Sequence, residues 1–175
     1  VQLAASLARA TKERVLLVDG DMRSPDVHRV LQIPSSPGLA DVLAGESTFE
    51  DAAASGWREN VDVLPAGRLR GVPHMLVGGN TLQDVLARAR ASYRFVVIDT
   101  PGGHTALSRA AHGRADLIVT PMNDSFVDFD MLGVVDPVTL DLVKPSLYAL
   151  TVWEARKAKA VSSGRSLDWV VLRNR

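Results

Sequence analysis

A chain of 175 residues, 46% apolar and 23% charged, has ordinary globular composition and enough length for one sizeable core. Its 20 Lys plus Arg offset 20 Asp plus Glu, so net charge by itself points to neither a nucleic-acid nor a membrane partner. The absence of cysteine excludes a disulfide framework and thiolate chemistry and fits a cytoplasmic protein. No apolar run approaches the roughly 20 residues of a membrane span, and the start is no signal peptide.

"VQLAASLARA" predicts a helix over 1–10, with Leu3, Ala4, Leu7 and Ala8 on one face and no capping residue before them. That uncapped opening, and an end just after the strand-like "DWVVLRNR", lead us to expect a domain truncated at both ends. "RVLLVD" predicts a strand over 14–19, followed by short helices over 23–31 and 38–44 and a strand over 61–64. A helix over 80–91 leads into a strand over 95–99, a helix over 105–112, a strand over 116–120 and a helix over 126–135. After a connection through Pro137 and Pro145, a strand over 147–151, a helix over 154–162 and a strand over 168–172 complete the order. The strands are short β-branched runs without strict alternation, as suits strands covered on both faces. Their alternation with helices predicts an α/β fold, a doubly wound, mostly parallel sheet with helices on both faces, in one domain over 1–175.

In such a sheet ligands bind beyond the carboxyl ends of the strands. Those ends are chemically marked here by Asp19 and Asp21, by Asp99, by Pro121 to Asn123 and by Asn174. Asp19 and Asp21 lie two residues apart, on one side of an extended chain. Two close carboxylates repel unless a cation or a bound water separates them, so a metal-bound phosphate or an activated water is a sensible occupant. The same pair also fits a helix N-cap beside a surface acid. In "FVVIDTPGG", Asp99 can hold magnesium through its waters, while Gly102 and Gly103 leave a terminal phosphate unobstructed. A simple turn after the strand is the competing reading. Asn174 carries an amide able to read a purine edge, although an Asn after a strand is also a common turn residue.

His28, His74, His104 and His112 are scattered without metal-ligand spacing, and no G-x-S-x-G stretch occurs. Charge is unevenly spread: Asp116 to Asp141 holds six Asp and no Lys or Arg, and Trp153 to Arg175 holds six Lys or Arg against two acids. Arg156, Lys157, Lys159 and Arg165 form a candidate basic patch. Phosphate contacts there would give salt-sensitive, sequence-independent DNA binding; a solvated helix face explains the same residues.

Taken together, the strand ending in Asp19 and Asp21, the Asp99-Thr100-Pro101 turn and the late Asn174 resemble the ParA/MinD family of P-loop ATPases. The resemblance implies a P-loop NTPase type of fold lacking its first strand and phosphate loop, with ATP and Mg2+ as cofactors. It implies that Asp21, with Asp19 beside it, orients the attacking water and that Asp99 assists magnesium. Thr100, Pro101, Gly102 and Gly103 would contact the nucleotide, and Asn174 would meet the adenine. "VQLAASLARA" is similar to the helix that follows the phosphate loop. The chain contains no G-K-[ST], so the lysine loop is expected upstream of Val1.

Two branches of the family are matched. From about Val15 to Leu64 the chain resembles bacterial tyrosine kinases of capsule and exopolysaccharide synthesis. From about Phe95 onward it resembles the MipZ family of division-plane positioning ATPases, and this longer match selects a MipZ-like function. That resemblance implies an ATP-dependent homodimer on the nucleoid, nonspecific DNA binding through Arg156, Lys157 and Lys159, and partners of the ParB and FtsZ kinds. The kinase alternative needs a tyrosine cluster, and the chain has only Tyr93 and Tyr148. A third reading is a non-catalytic fragment or chimera that keeps only the fold. Without a lysine loop, the chain itself is expected not to hydrolyse ATP.

Overall fold

The structure, a computed structural model, describes all residues except 71–80, 103–104, 124, 126–127, 129, 140 and 174–175. It divides into two compact units, Val1–Leu107 and Ser108–Arg175. Each is described by itself.

The first unit is organised around β1 (Val15–Asp19), whose five residues are all buried. β3 (Val61–Leu64) pairs with it in parallel on one side and β4 (Phe95–Asp99) in parallel on the other. β2 (Ala54–Arg58) adds antiparallel to β3, giving the order β2-β3-β1-β4. The reversal from β2 to β3 passes through Asn60 at φ 62°, a left-handed conformation that Asn tolerates better than most residues. On one face, α1 (Gln2–Thr11) sets Ala4 and Ala8 against Val15, Leu17, Val61 and Val63. The same cluster takes in Val27 and Leu31 of α2 (Val27–Leu31). α5 (Thr81–Ser92) buries Leu82, Val85, Leu86 and Ala89 at helical spacing.

At the amino end of the sheet sits a buried acid. Asp62 accepts hydrogen bonds from Arg14 Nη2 at 2.9 Å, the Tyr93 hydroxyl at 2.9 Å and the Gly56 N–H at 3.0 Å. The Arg14 guanidinium also lies 4.6 Å over the Tyr93 ring. Burial raises the Asp62 carboxyl, but its three donors and the Arg14 charge outweigh this and hold it below the usual carboxylate range. Burial and the neighbouring Asp62 push Tyr93 up to about 12.

Beside the carboxyl end of β3 two loops clasp each other. The first leads into α3 (Leu39–Leu43), which is followed by α4 (Phe49–Ala52). Leu39 N donates to Pro65 O at 2.7 Å, Ala40 N to Ala66 O at 2.9 Å and Gly67 N to Ser35 O at 3.1 Å. Asp41 Oδ2 gathers the Gly38 N–H at 2.8 Å, the Ser36 hydroxyl at 3.2 Å and the Arg68 N–H at 3.2 Å. Asp41→Ala strands these donors in a buried site. It is expected to cost about 2–3 kcal/mol, read as a lower urea midpoint with unchanged slope.

In the second unit β5 (Leu117–Met122) pairs in parallel with β8 (Asp168–Arg173), and β6 (Gly133–Val135) pairs antiparallel with β7 (Leu142–Pro145). α6 (Ala106–Arg114) precedes β5, and α7 (Leu147–Ser163) precedes β8. α7 packs Val152 and Ala155 against Ile118 and Leu167, with Tyr148 and Trp169 at the margin. Thr120 Oγ1 meets the Tyr148 hydroxyl at 2.8 Å and accepts from Trp169 Nε1 at 3.0 Å.

Two expected elements differ. The strand over 147–151 is the first part of α7, because Ser146 caps it by accepting from Ala149 N at 2.9 Å. Of the helix expected over 126–135, residues 126, 127 and 129 lie outside the described residues, and 133–135 form β6, where β-branched Val134 and Val135 pair with β7. α4, β2 and β7 were not expected at all. No helix among the described residues is long and apolar enough to cross a membrane.

Candidate functional site

The parallel pairing of β1 with β4 runs in register from Val15 opposite Phe95 to Asp19 opposite Asp99. Two of the three acids singled out in the sequence therefore end adjacent strands side by side, and Asp21 follows two residues later. Between them, Gly20 closes the gap. Its N–H donates to Asp99 O at 2.7 Å, and a Cβ on it would lie 2.6 Å from that same oxygen. The backbone of the "DGD" turn thus approaches β4 as closely as only glycine allows.

The carboxylates differ in their surroundings. Asp19 is 1% exposed; its Oδ1 accepts from Asp21 N at 3.1 Å and its Oδ2 from Val27 N at 3.3 Å. Burial raises its pKa; the two N–H donors work against this, and the charges of Asp99 and Asp21 add to the rise. Both oxygens face inward to backbone amides, so Asp19 fixes the path of the loop from β1 to α2. Asp21 is half-buried, and its Oδ1 accepts from Arg23 N at 3.2 Å and Ser24 N at 3.0 Å, an Asx turn that sets its orientation. Asp99 is exposed at the strand end, with Thr100 and Pro101 half-buried behind it. A Cβ on Gly102 would meet nothing within 4 Å, so its surroundings are open. Gly103 and Asn174 lie outside the described residues.

Among the described residues, no three His, Asp or Glu side chains converge to enclose a metal ion. This donor set suits magnesium, which keeps several waters and takes one or two protein carboxylates, better than a metal needing an all-protein cage. The open approach at Gly102 fits a phosphate group. Gly20 and the Val27 N–H are the site components that the sequence reading missed. The "DGD" triplet carried the first signal; nothing in the sequence carried the second.

The candidate basic patch divides. Lys157 is exposed and pairs with Glu154 at 3.2 Å, and Arg156 is half-buried. Lys159 is a correction: it is buried, with Nζ held by the Ala115 carbonyl and by Asp116 at 2.6 Å. Its place on the inward face of α7 commits the charge to an intramolecular pair, away from any phosphate.

Comparison with known proteins bears on the fold and the family. The chain is 30% identical over 101 residues to a Staphylococcus aureus protein described as "Putative tyrosine-protein kinase CapB", covering 58% of this chain and 44% of that protein. The chain thus spans less than half the length of CapB. Among solved structures it superposes on the septum site-determining protein MinD complexed with Mg-ADP from Pyrococcus horikoshii, with a TM-score of 0.60 and 27% identity. That match covers 73% of this chain and 52% of that one. The kinase domain of Escherichia coli tyrosine kinase ETK shares the fold at a TM-score of 0.70 and 17% identity, over 98% of this chain and 59% of that one. A family model described as ATPase MipZ matches residues 67–175, more than half of the chain. With the fold of P-loop NTPases and this family match together, the chain belongs to the MipZ family of ATPases.

Proposed function

We propose that this chain carries the acidic half of the ATP site of a nucleotide-switched ATPase of MipZ type. The observation that supports the reading is the in-register convergence of Asp19 and Asp99 on two adjacent parallel strands, with Asp21 joined to them through Gly20. Bound Mg-ATP supplies the transferable phosphoryl group and the cation that offsets its charge. Asp99, exposed, would hold a magnesium ion through its waters, and Thr100, Pro101, Gly102 and Gly103 would contact the phosphates. Asp21, oriented by its own turn, positions the attacking water. Asp19 acts through Asp21 and the loop, as a positioning residue. Asn174 takes the adenine edge.

The rest of the reading follows from family membership. ATP holds a homodimer, Arg156 and Lys157 contact DNA without sequence preference, and partners of the ParB and FtsZ kinds read the switch at the nucleoid. The chain has no lysine loop, so phosphate binding and transition-state charge stabilisation lack their main donors, and no measurable turnover is expected of residues 1–175 alone. Joined ahead of Val1 to a strand and a K-G-G-x-G-K-[ST] loop, the chain is expected to hydrolyse Mg-ATP. Asp21→Ala then lowers kcat by about 100-fold or more, the range of a lost general acid or base. Turnover indifferent to both Asp21→Ala and Asp99→Ala would overturn the assignment.

The kinship with CapB favours a second reading, a tyrosine kinase domain. Its acceptors are poorly placed here. Tyr93 is buried and bonded to Asp62, and Tyr148 is half-buried and bonded to Thr120. No autophosphorylation is expected of the loop-bearing protein with labelled ATP, and incorporation on tyrosine would move the function to that branch.

A further inference from the structure

At the amino end of the sheet in the first unit, α1 and the turn from β2 to β3 flank a cleft of about 330 Å3. That is the small end of the roughly 300–1,000 Å3 usual for ligand pockets. Its charged lining is Arg9 on α1, Lys12 at the C-cap of α1, Arg58 at the end of β2, and one acid, Glu59. Ser6 and Asn60 add neutral hydrogen-bonding groups. Glu13, next to Lys12 in the chain, does not line it.

The three cations are exposed and unpaired. Elsewhere in this unit Arg29 pairs with Asp26, Arg70 with Glu46, Arg88 with Glu50 and Arg14 with Asp62. Among the described residues, Arg9, Lys12, Arg58 and Glu59 make no ion pair. Like charges gathered around one cleft repel, and an anion placed among them turns that repulsion into attraction. The dipole of α1 accounts for Arg9 and Lys12 at its C-terminal end. It does not account for Arg58, which comes from the opposite wall with its guanidinium 4.8 Å over the Trp57 ring. A guanidinium seated on an aromatic face keeps its N–H groups for an anion.

Both walls are fixed. Asn60 O accepts from Val15 N at 2.9 Å, Arg58 pairs with Val61 across the turn, and the Gly56 N–H is held by Asp62 at 3.0 Å. Lys12 N closes α1 by donating to Ala8 O at 2.9 Å. Charged groups carried on rigid elements lose little freedom when they take up a ligand. We propose that this cleft binds a small multivalent anion of phosphate type, the diphosphate group of a free metabolite. Arg9 and Arg58 serve as forked donors and Lys12 as a point charge. The small volume favours such an ion over a polymer, since a duplex or a membrane needs an extended basic face, and Glu59 and Glu13 interrupt one here. The site is independent of the ATP-site reading, because Asp19 and Asp99 stand at the opposite end of the same strands.

The test is calorimetric titration of the chain with inorganic pyrophosphate, without Mg2+ and at about 0.1 M salt, where diffuse attraction is screened. One site with a dissociation constant of about 1 mM or tighter is expected. Arg58→Gln, and separately Lys12→Gln, are expected to weaken it by about 10-fold or more. Arg88→Gln, which removes a cation paired with Glu50 elsewhere, should leave it unchanged. All three side chains are exposed, so the circular dichroism of the variants should match that of the parent. Tryptophan emission should change on binding, and Trp57→Phe should abolish that change. No heat up to about 10 mM pyrophosphate overturns the proposal. So does an equal loss in all three variants, which would reflect net charge alone. Duplex DNA or phosphatidic-acid vesicles bound through these residues, with pyrophosphate left unbound, would overturn it as well.

Discussion

Gly20→Ala is expected to lower stability by about 2–4 kcal/mol and to separate the two strand ends that make the candidate site. The added Cβ would lie 2.6 Å from Asp99 O, a backbone atom that cannot swing aside, and 3.2 Å from Leu107 Cδ2. Relief requires β1 and β4 to part where the Gly20 N–H now donates to Asp99 O at 2.7 Å. The cost comes from contact, since Gly20 is not among the glycines at positive φ. In a thermal melt the loss should appear as a fall of about 5–15 °C for a chain of this size. Amide exchange at residue 20 should lose its protection in the same variant. In the loop-bearing protein, turnover should fall along with it. A melting point within 2 °C of the parent would show that the close approach is not needed.

The second large effect is expected at Asp62, far from the candidate site at the amino end of the same sheet. Asp62→Ala leaves the Tyr93 hydroxyl and the Gly56 N–H without their partner, while half-exposed Arg14 can turn to water. The loss is expected at about 2–4 kcal/mol, most of it from the stranded donors and little from the screened ion pair. Tyr93→Phe removes one of these bonds and should cost about 1 kcal/mol.

The pH dependence gives Asp62 a separate signature. Its folded pKa is lowered, so its contribution is fully present above its unfolded value of about 3.9 and is lost as pH falls through the folded value. Asp19 runs the other way. Its folded pKa is raised by burial, so its contribution is greatest in acid and is lost as pH rises from about 4 through the folded value. Urea midpoints measured from pH 2.5 to 7 should therefore fall less steeply below pH 4 in Asp62→Ala than in the parent chain. An acid limb of the same steepness in both would remove Asp62 from the account.

Much of the first unit was legible because its strands are continuous β-branched runs that admit little else. "VLLVD" and "FVVID" are strands at the expected places, and their terminal acids end adjacent strands. What failed were segments whose local signals compete. "LYALT" has the apolar, aromatic and β-branched content of a buried strand, yet the capping hydroxyl of Ser146 and contact with β5 and β8 make it helix. β2, "ASGWR", has no usable period and exists because Asn60 turns the chain back onto β3. Lys159 reads as one more surface cation until Asp116, 43 residues earlier, is found at the start of β5 beside it.

The sequence alone determined the class of fold and which acids stand at strand ends, because hydrophobic runs and their terminal residues are local properties of the chain. It also determined that no lysine loop lies within these 175 residues. Only the tertiary structure decided which of those acids meet and how each is used. Strand register put Asp19 opposite Asp99, and burial turned Asp19 inward to backbone amides while Asp99 stayed in water. Asp62 became the hub of the opposite end for the same reason. Which polar group is buried, and with what partner, depends on residues far apart in the chain, and no local pattern carries that information.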